Sequence, residues 1–174
     1  MPDKIAPGTV YAIDVETSGL NPAGDRVIEY GAVKIQRGEI SAEATTLIDV
    51  PCCIHPQAQR THGIDATMLV GQPGPEAAWR EFLEFIGKAP LIAHNAPFDI
   101  RFISAELSRL GIGLLNKSIC TLRLTRRRYP RLNNHKLETV ARHVLGEIPA
   151  DCHRHRALGD ARLVARLWLA LEGK

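Results

Sequence analysis

The sequence lacks any hydrophobic run that approaches the length needed to cross a lipid bilayer. Its first residues, Met1 to Gly8, contain no basic region followed by an apolar stretch, so they do not resemble a secretion signal. Repeats, low-complexity tracts and shifts of composition are absent as well. We therefore expect a cytoplasmic protein without membrane contact that folds as a single domain over residues 1–174.

Cysteine is also scarce, with four residues that form none of the regular spacings of a disulfide framework. We expect reduced thiols. Cys152, His153 and His155 lie close together and could ligate a soft metal, but no second cysteine pair completes a tetrahedral set. A structural zinc site is therefore disfavoured.

The composition is that of an ordinary globular chain. Of its 174 residues, 45% are hydrophobic and 24% are charged. A chain of this length removes roughly 70% of its unfolded surface from water, enough for one self-sufficient core. The net charge of +3 and the pI of 8.8 are mildly basic, which permits a polyanionic partner such as nucleic acid.

The order of apolar patterns predicts a mixed α/β sheet flanked by helices. An antiparallel meander with a tight turn at residues 37–39 comes first, and strands alternate with helices afterwards. Residues 51–75 are rich in Pro, Gly, Thr and His and indicate a long loop with at most one short helix. The expected strands are 9–15, 27–36, 40–48, 91–93 and 119–122, and the expected helices are 75–87, 97–111, 122–129, 136–145 and 157–171.

Two acids stand near the end of the first expected strand. Residues two apart in a strand point to the same face, so Asp14 and Glu16 project together while Ile13 and Val15 face the opposite way. Like charges on an otherwise apolar strand raise each other's pKa, which is unfavourable unless a positive group lies between them. A hard divalent cation would supply that charge, and an exposed sheet edge with two solvated acids is the alternative.

Two further acids begin helices. Asp99 lies in the first turn of a helix that follows a strand, and Asp160 lies near the start of the last helix, five residues after His155. Acids at such junctions are favoured by the helix dipole, and α/β sheets usually place their functional sites there. Each acid alone is more often a helix-start residue than a ligand.

Several strings resemble, in order and spacing, the motifs of the DEDDh exonuclease family, the proofreading class of nucleases. The resemblance covers nearly the whole chain and implies an RNase H-like fold, a mixed five-stranded sheet flanked by helices. The three main motifs are YAIDVETSGL at 11–20, HNAPFDIRF at 94–102 and HRALGDA at 155–161, and THGI at 61–64 and NHKLETVA at 134–141 also fit.

The resemblance implies an activity and its residues. The expected reaction is metal-dependent hydrolysis from the 3′ end of single-stranded or frayed DNA, releasing nucleoside 5′-monophosphates in proofreading or repair. It would use two divalent cations, Mg²⁺ or Mn²⁺. By the motifs, the metal-binding acids are Asp14, Glu16, Asp99 and Asp160, and the general base is His155.

By the same resemblance, seven residues bind the terminal nucleotide or shape its pocket. The family commonly has Thr at the position of Ser18, a departure that keeps the hydroxyl. For Phe98, packing in the core is an equal alternative. The expected substrate-binding residues are Thr17, Ser18, Leu20, His62, His94, Asn95 and Phe98.

A basic run precedes the third motif. It is either a solvated helix face or a surface that contacts the nucleic-acid backbone. Its members are Arg123, Arg126, Arg127, Arg128, Arg131 and Lys136.

Two alternatives to the deoxyribonuclease stay open. Members of the same family trim RNA 3′ ends with the same acids, although RRRYPRLNNHKL at 126–137 resembles the proofreading subunits of bacterial DNA polymerase III and so favours DNA. A non-catalytic module that binds nucleic acid or polymerase would lack an acid or the histidine, and none is missing. A DNA polymerase catalytic subunit is an expected partner, and the chain is either a nuclease domain of a longer protein or a stand-alone nuclease.

Overall fold

The computed structural model describes residues 8–152 and 155–173. Their strands form one five-stranded sheet in the order β3-β2-β1-β4-β5, with helices on both sides. The strands are β1 Val10–Thr17, β2 Val27–Gln36, β3 Glu39–Leu47, β4 Leu91–Ala93 and β5 Ser118–Cys120. The helices are α1 Pro56–His62, α2 Ala66–Leu69, α3 Pro75–Ile86, α4 Ala96–Arg109, α5 Thr121–Arg128, α6 Leu137–Leu145 and α7 Ala157–Glu172.

The central strand β1 joins the two halves of the sheet. It pairs antiparallel with β2 and parallel with β4. The antiparallel half comes from a hairpin whose turn residues Arg37 and Gly38 both have positive φ, as the predicted tight turn requires. The parallel half follows from the strand and helix alternation after residue 90. The predicted mixed sheet flanked by helices is confirmed.

Each face of the sheet carries its own hydrophobic core, because alternate residues of β1 point to opposite sides. Ile13 and Val15 pack with the large side chains of α3 and α4, among them Trp79 and Phe102. On the other face, Ala12 packs with α6 and α7. Asp14 and Glu16 therefore project toward the side of the sheet that α7 covers.

The start of α7 lies directly against β2. A Cβ atom on Gly31 would stand 2.4 Å from the backbone carbon of Ala157, so only glycine allows this approach. Gly31 pairs with Asp14 in the sheet. The contact therefore holds the first turn of α7, which carries Asp160, beside the acids of β1.

Most predicted boundaries differ from the observed ones by one or two residues, and three differences bear on the site or its surroundings. The first strand extends to Thr17, because a bulge after Glu16 lets its pairing with β2 continue. The fifth strand covers 118–120 rather than 119–122. The segment 51–75 contains two short helices instead of one at most, and the second is capped by the Asp65 carboxylate, which accepts hydrogen bonds from the N–H groups of Thr67 and Met68.

No helix within the described ranges is long and apolar enough to cross a membrane.

Candidate active site

Three of the expected acids meet above the sheet. Asp14 and Glu16 project from β1, and Asp160 projects from the first turn of α7. One ligand oxygen from each can be chosen so that all lie within 4.8 Å of one another. Carboxylate oxygens at this spacing suit a hard cation such as Mg²⁺ or Mn²⁺. The cluster can therefore hold a divalent metal ion.

Asp99 joins this group from the side of the sheet. Strand β4 pairs only with the first residues of β1, so the backbone of β1 beyond Ala12 extends past the end of β4. Helix α4 begins just beyond that end, and the backbone N–H of Val15 acts on the Asp99 carboxylate and lowers its pKa, against the larger effect of burial. Asp99 is 3% exposed and lies outside the three-acid metal group, although its charge acts strongly on Asp14.

Burial and mutual repulsion make the ionised acids costly. Burial, and then the charges of Asp99 and Glu16, raise the pKa of Asp14 well above its usual range. Burial, with the charges of Asp160 and Glu29 next, raises the pKa of Glu16 to about 8. Burial raises the pKa of Asp99 to about 7. A bound cation would remove this cost, because it favours the charged form of every carboxylate that faces it.

His155 lies at the entrance to α7. Its side chain is exposed and its backbone has a positive φ of 59°. Its backbone N–H donates a hydrogen bond to Oδ2 of Asp160 at 3.1 Å. His155 therefore lies at the edge of the acid cluster, with its side chain exposed to solvent.

An ion pair between Arg156 and the buried Glu29 fixes this entrance. Glu29 of β2 accepts from Nη2 of Arg156 at 2.6 Å and from Nε at 3.1 Å. The same carboxylate accepts from the backbone N–H of Ala157 at 2.9 Å. Since Glu29 pairs with Glu16 in the sheet, this anchor lies immediately beside the acids. It holds the chain on both sides of the junction between His155 and α7.

A cleft of about 770 Å³ opens next to Glu16. Its walls come from the end of β1, the loop that follows it, helix α1 and the start of α4. A volume of this size accommodates a nucleotide. Five of the expected active-site residues line it: Glu16, Thr17, Leu20, His62 and Phe98.

The expected substrate-binding residues in this cleft differ in their freedom. Leu20 is 80% exposed, and Phe98 is half-buried and packs against Phe102 at a ring distance of 4.9 Å. Both present apolar surface to the cleft. His62 is buried, donates from Nε2 to the Thr17 carbonyl at 3.3 Å and accepts at Nδ1 from the Ile64 N–H. Its imidazole therefore fixes the cleft wall.

Three other expected substrate-binding residues lie outside the lining of the cleft. Ser18 is 1% exposed, and its Oγ accepts from the Arg26 N–H within its own loop. His94 donates from Nε2 to the carbonyl of His135 at 2.8 Å and contacts the Thr121 hydroxyl through Nδ1 at 2.9 Å. Asn95 is exposed in the left-handed conformation just before α4. The contacts of Ser18 and His94 stabilise the segments that surround the cleft.

The residues that support the site from other parts of the fold were not predicted from the sequence. Beside Glu29 and Arg156, these include Glu106, which is 1% exposed and accepts two hydrogen bonds from Arg26 and one from Arg109. Arg109 in turn donates to the Pro22 carbonyl, which ties the loop after β1 to α4. The available signal was an acid within an apolar segment, at VIEYGAV for Glu29, although nothing in the sequence identifies its partner.

Comparison with known proteins gives the family. The model of the family described as "Exonuclease" matches residues 11–168. The DNA polymerase III subunit epsilon of Aquifex aeolicus is 34% identical over 172 residues, which cover 98% of this chain and 84% of that protein. The PolC-type DNA polymerase III of Caldanaerobacter subterraneus is 35% identical over 164 residues, but this chain spans only 12% of its length.

Solved structures agree with this relationship. Exonuclease X, solved in complex with duplex DNA that has a 5′ overhang, superposes with a TM-score of 0.74 at 26% identity, over 94% of this chain and 91% of that one. Exonuclease I of E. coli, solved with single-stranded DNA, superposes with a TM-score of 0.84 at 17% identity, over 96% of this chain and 41% of that one. The second likeness shows the fold alone. Together with the family match, these comparisons confirm the motif-based prediction, and the chain belongs to the exonuclease family.

Proposed function

We propose that the chain hydrolyses the terminal phosphodiester bond at the 3′ end of single-stranded or frayed DNA and releases nucleoside 5′-monophosphates. The observation that carries this proposal is the convergence of Asp14, Glu16 and Asp160 beside a nucleotide-sized cleft. Membership of the exonuclease family supports the reaction type, and relatives named for DNA polymerase III support DNA as the substrate.

The four acids hold the metal ions in this proposal. Asp14, Glu16 and Asp160 would hold one divalent cation, and Asp99 would help to hold a second. When bound, Mg²⁺ or Mn²⁺ lowers the pKa of the attacking water and stabilises the charge on the departing 3′ oxygen. The donor set fits hard ions because it offers only carboxylate oxygens.

His155 is the proposed general base. It lies one hydrogen bond away from Asp160, with an exposed ring that can approach a water molecule at the acids. The ordinary pKa of histidine, near 6.5, lets the neutral ring accept a proton at neutral pH. The Glu29–Arg156 pair keeps the chain at His155 in place.

The cleft receives the terminal nucleotide. Phe98 and Leu20 offer apolar surface against which a base can pack without sequence preference. Thr17, which donates from Oγ1 to the Gly19 carbonyl, sets the path of the loop that carries Leu20. Ser18, His62 and His94 shape the same site through the contacts described above, and Asn95 leads into the helix that carries Asp99.

The names of the relatives support a replicative role. The Aquifex aeolicus protein is named as a subunit of DNA polymerase III, and this chain spans 12% of the PolC-type polymerase of Caldanaerobacter subterraneus. We propose that these residues form one exonuclease domain that works beside a DNA polymerase catalytic subunit. Co-purification with a replicative polymerase from a cell extract would identify such a partner.

The test of the activity uses matched single strands of DNA and RNA, each labelled at the 5′ end. With Mg²⁺ or Mn²⁺, the DNA is expected to shorten stepwise from its 3′ end, and EDTA or the variant Asp14→Asn should stop the reaction. Shortening of RNA alone would instead identify an RNA-trimming enzyme. Absence of cleavage with either ion would refute the proposed function and favour a binding module.

A further inference from the structure

Helix α5 has two chemically different sides. Thr121 and Thr125 are fully buried, one turn apart. Arg123 and Arg127 follow each of them by two residues, or roughly 200° around the helix, and are exposed on the opposite side. Arg126 is exposed on the flank of the helix, between the buried side and the side that carries Arg123 and Arg127. We call Arg123, Arg126 and Arg127 the α5 arginine face.

The α5 arginine face lies beside the active site. The first residue of α5, Thr121, contacts His94, which immediately precedes Asn95 and the helix that carries Asp99. The charges of Arg126 and Asp160 both act on the His94 imidazole, Arg126 lowering its pKa and Asp160 raising it, although burial lowers it most. Arg126 and Asp160 are therefore both near His94, which places Arg126 at the margin of the acid cluster, with Arg123 and Arg127 further round the same helix.

These arginines have no acid partner, unlike most arginines around the site. Within residues 8–152 and 155–173, Arg26, Arg156, Arg162 and Arg166 each form an ion pair with an acid, whereas Arg123, Arg126 and Arg127 form none. The neighbouring Arg128 donates to the Leu171 carbonyl instead. The negative end of the α5 dipole stabilises the arginines of its last turn, but it does not neutralise their charge.

The negative charge of the acid cluster favours positive charge on a neighbouring surface that binds DNA. A DNA strand carries a phosphate on every nucleotide, and the acids repel those phosphates that lie beyond the reach of the bound cations. Arginine side chains on a surface next to the cluster offset this repulsion and can donate paired hydrogen bonds to phosphate oxygens. Charge complementarity therefore specifies a polyanionic strand as the occupant of the α5 arginine face.

We propose that Arg123, Arg126 and Arg127 bind backbone phosphates of the substrate strand on the 5′ side of the nucleotide being removed. The face makes affinity increase with strand length and decrease with salt, while the cleft and the acids act on the terminal nucleotide alone. This inference rests on the proposed function, because it assigns the α5 arginine face to the same substrate strand.

The test removes the charge of the α5 arginine face in the triple variant Arg123→Gln, Arg126→Gln, Arg127→Gln. The matched control is Arg37→Gln, Arg80→Gln, Lys88→Gln, which removes equal charge from exposed positions. Arg37 lies in the β2–β3 turn and Lys88 precedes β4, both at the end of the sheet opposite the acids. Binding is measured without Mg²⁺ or Mn²⁺, by fluorescence anisotropy of a labelled DNA strand of about 12 nucleotides over a series of KCl concentrations.

The face variant is expected to bind this strand about tenfold more weakly, with a log–log salt slope smaller by about 2, because each lost phosphate contact on a single strand removes roughly 0.7. The control should bind like the wild type. Equal binding by the face variant and the wild type, or equal weakening in the control, would overturn the assignment and leave a protein partner as the alternative use of the face.

A second readout separates this inference from the proposed function. The p-nitrophenyl ester of thymidine 5′-monophosphate occupies the cleft but has no phosphate that can reach α5. The face variant should hydrolyse it at the wild-type rate while its KM for the DNA strand increases about tenfold. A matching loss on the ester would assign the arginines to the fold or the chemistry instead. Failure of the wild type on both substrates would refute the proposed function, whereas the anisotropy result would still decide the role of the face.

Discussion

The acids in and near the interior of this protein fall into two groups that differ in whether an arginine pairs with them. Glu106 and Glu29 lie in the interior and are held by arginines, with ion-pair distances of 2.8 Å to Arg26 and 2.6 Å to Arg156. Asp14 and Glu16 are partly buried, yet within residues 8–152 and 155–173 no arginine or lysine forms an ion pair with either. The first pair supports the fold, and the second leaves its negative charge available.

The difference between the two groups indicates what each group of carboxylates contributes. A carboxylate surrounded by donors contributes to stability, because its charge is satisfied within the chain. A carboxylate placed among other carboxylates destabilises the fold, because burial and then the neighbouring charges raise the pKa of Glu16 and of Asp99. A cation from solution would offset that repulsion. The arginines next to the site support its frame, and within residues 8–152 and 155–173 none of them forms an ion pair with Asp14 or Glu16.

The largest expected effect is on turnover when an acid of the cluster is neutralised. Asp14→Asn removes one charged ligand and should lower the rate of DNA hydrolysis by about a thousandfold or more. Without metal ions at pH 8, the same variant should melt at a higher temperature than the wild type, because one source of repulsion is gone. Asp160→Ala is expected to abolish turnover in the same way. Wild-type-like turnover in either variant would remove these acids from the site.

Neutralising an arginine-held acid should have the opposite consequence for stability. Glu106→Ala leaves Arg26 and Arg109 without their partner and the Val27 N–H without its acceptor. The free energy of unfolding should decrease by about 3 kcal/mol, as measured by urea denaturation. The control is Glu76→Ala, whose pair with Arg80 is exposed and should contribute almost nothing. Equal losses in the two variants would show that burial does not distinguish these ion pairs.

His155 separates metal binding from proton transfer. His155→Ala should lower the rate by about a hundredfold and leave the affinity for Mn²⁺ nearly unchanged, because the acids remain. Rates and Mn²⁺ titrations on the same preparation check both statements. The neighbouring variant Arg156→Lys serves as a control for the position of the chain at His155. An unchanged rate in His155→Ala would refute the assignment of the base.

The smallest expected effect is the pH dependence of the metal-free protein. The folded protein keeps protons on Glu16 up to about pH 8, although its ordinary pKa is 4.5. Between these two pH values the unfolded chain has lost the Glu16 proton while the folded protein still holds it. The free energy of unfolding should therefore decrease as pH increases through this range. His62 and His94, whose pKa burial lowers, act in the opposite direction.

The difference between the wild type and Asp14→Asn isolates the acids from the histidines. In EDTA, the melting temperature should decrease from pH 5 to pH 8 by a few degrees more in the wild type than in Asp14→Asn. Saturating Mn²⁺ should reduce that difference. A decrease of the same size in both proteins would show that the acids are not repelling one another.

The sequence predicted the parts of this arrangement that depend on local pattern. The common direction of Asp14 and Glu16 follows from strand alternation, and the position of Asp160 follows from the start of a helix. The fold class followed from the order of the strands and helices. The roles of the individual residues remain predictions that the variants above can test.

The parts that were not predicted depend on contacts between distant segments. Glu29 and Arg156 are 127 residues apart, and no pattern along the chain connects them. The N–H of Val15 acts on Asp99 only because β4 ends early, which depends on strand pairing. Helix α1, which forms a wall of the cleft, has 7 residues and begins at a proline in a segment that resembles a loop. Tertiary packing, which local propensity does not contain, decides each of these features.

The most direct test of the central claim is a calorimetric titration of the protein with Mn²⁺ at pH 8, with thymidine 5′-monophosphate in the cleft. The wild type should bind two ions per chain and Asp14→Asn fewer and more weakly, while Glu106→Gln, which alters an arginine-held acid, should bind like the wild type. Equal Mn²⁺ binding by the wild type and Asp14→Asn, or no binding by the wild type, would contradict the assignment of Asp14 to a metal site.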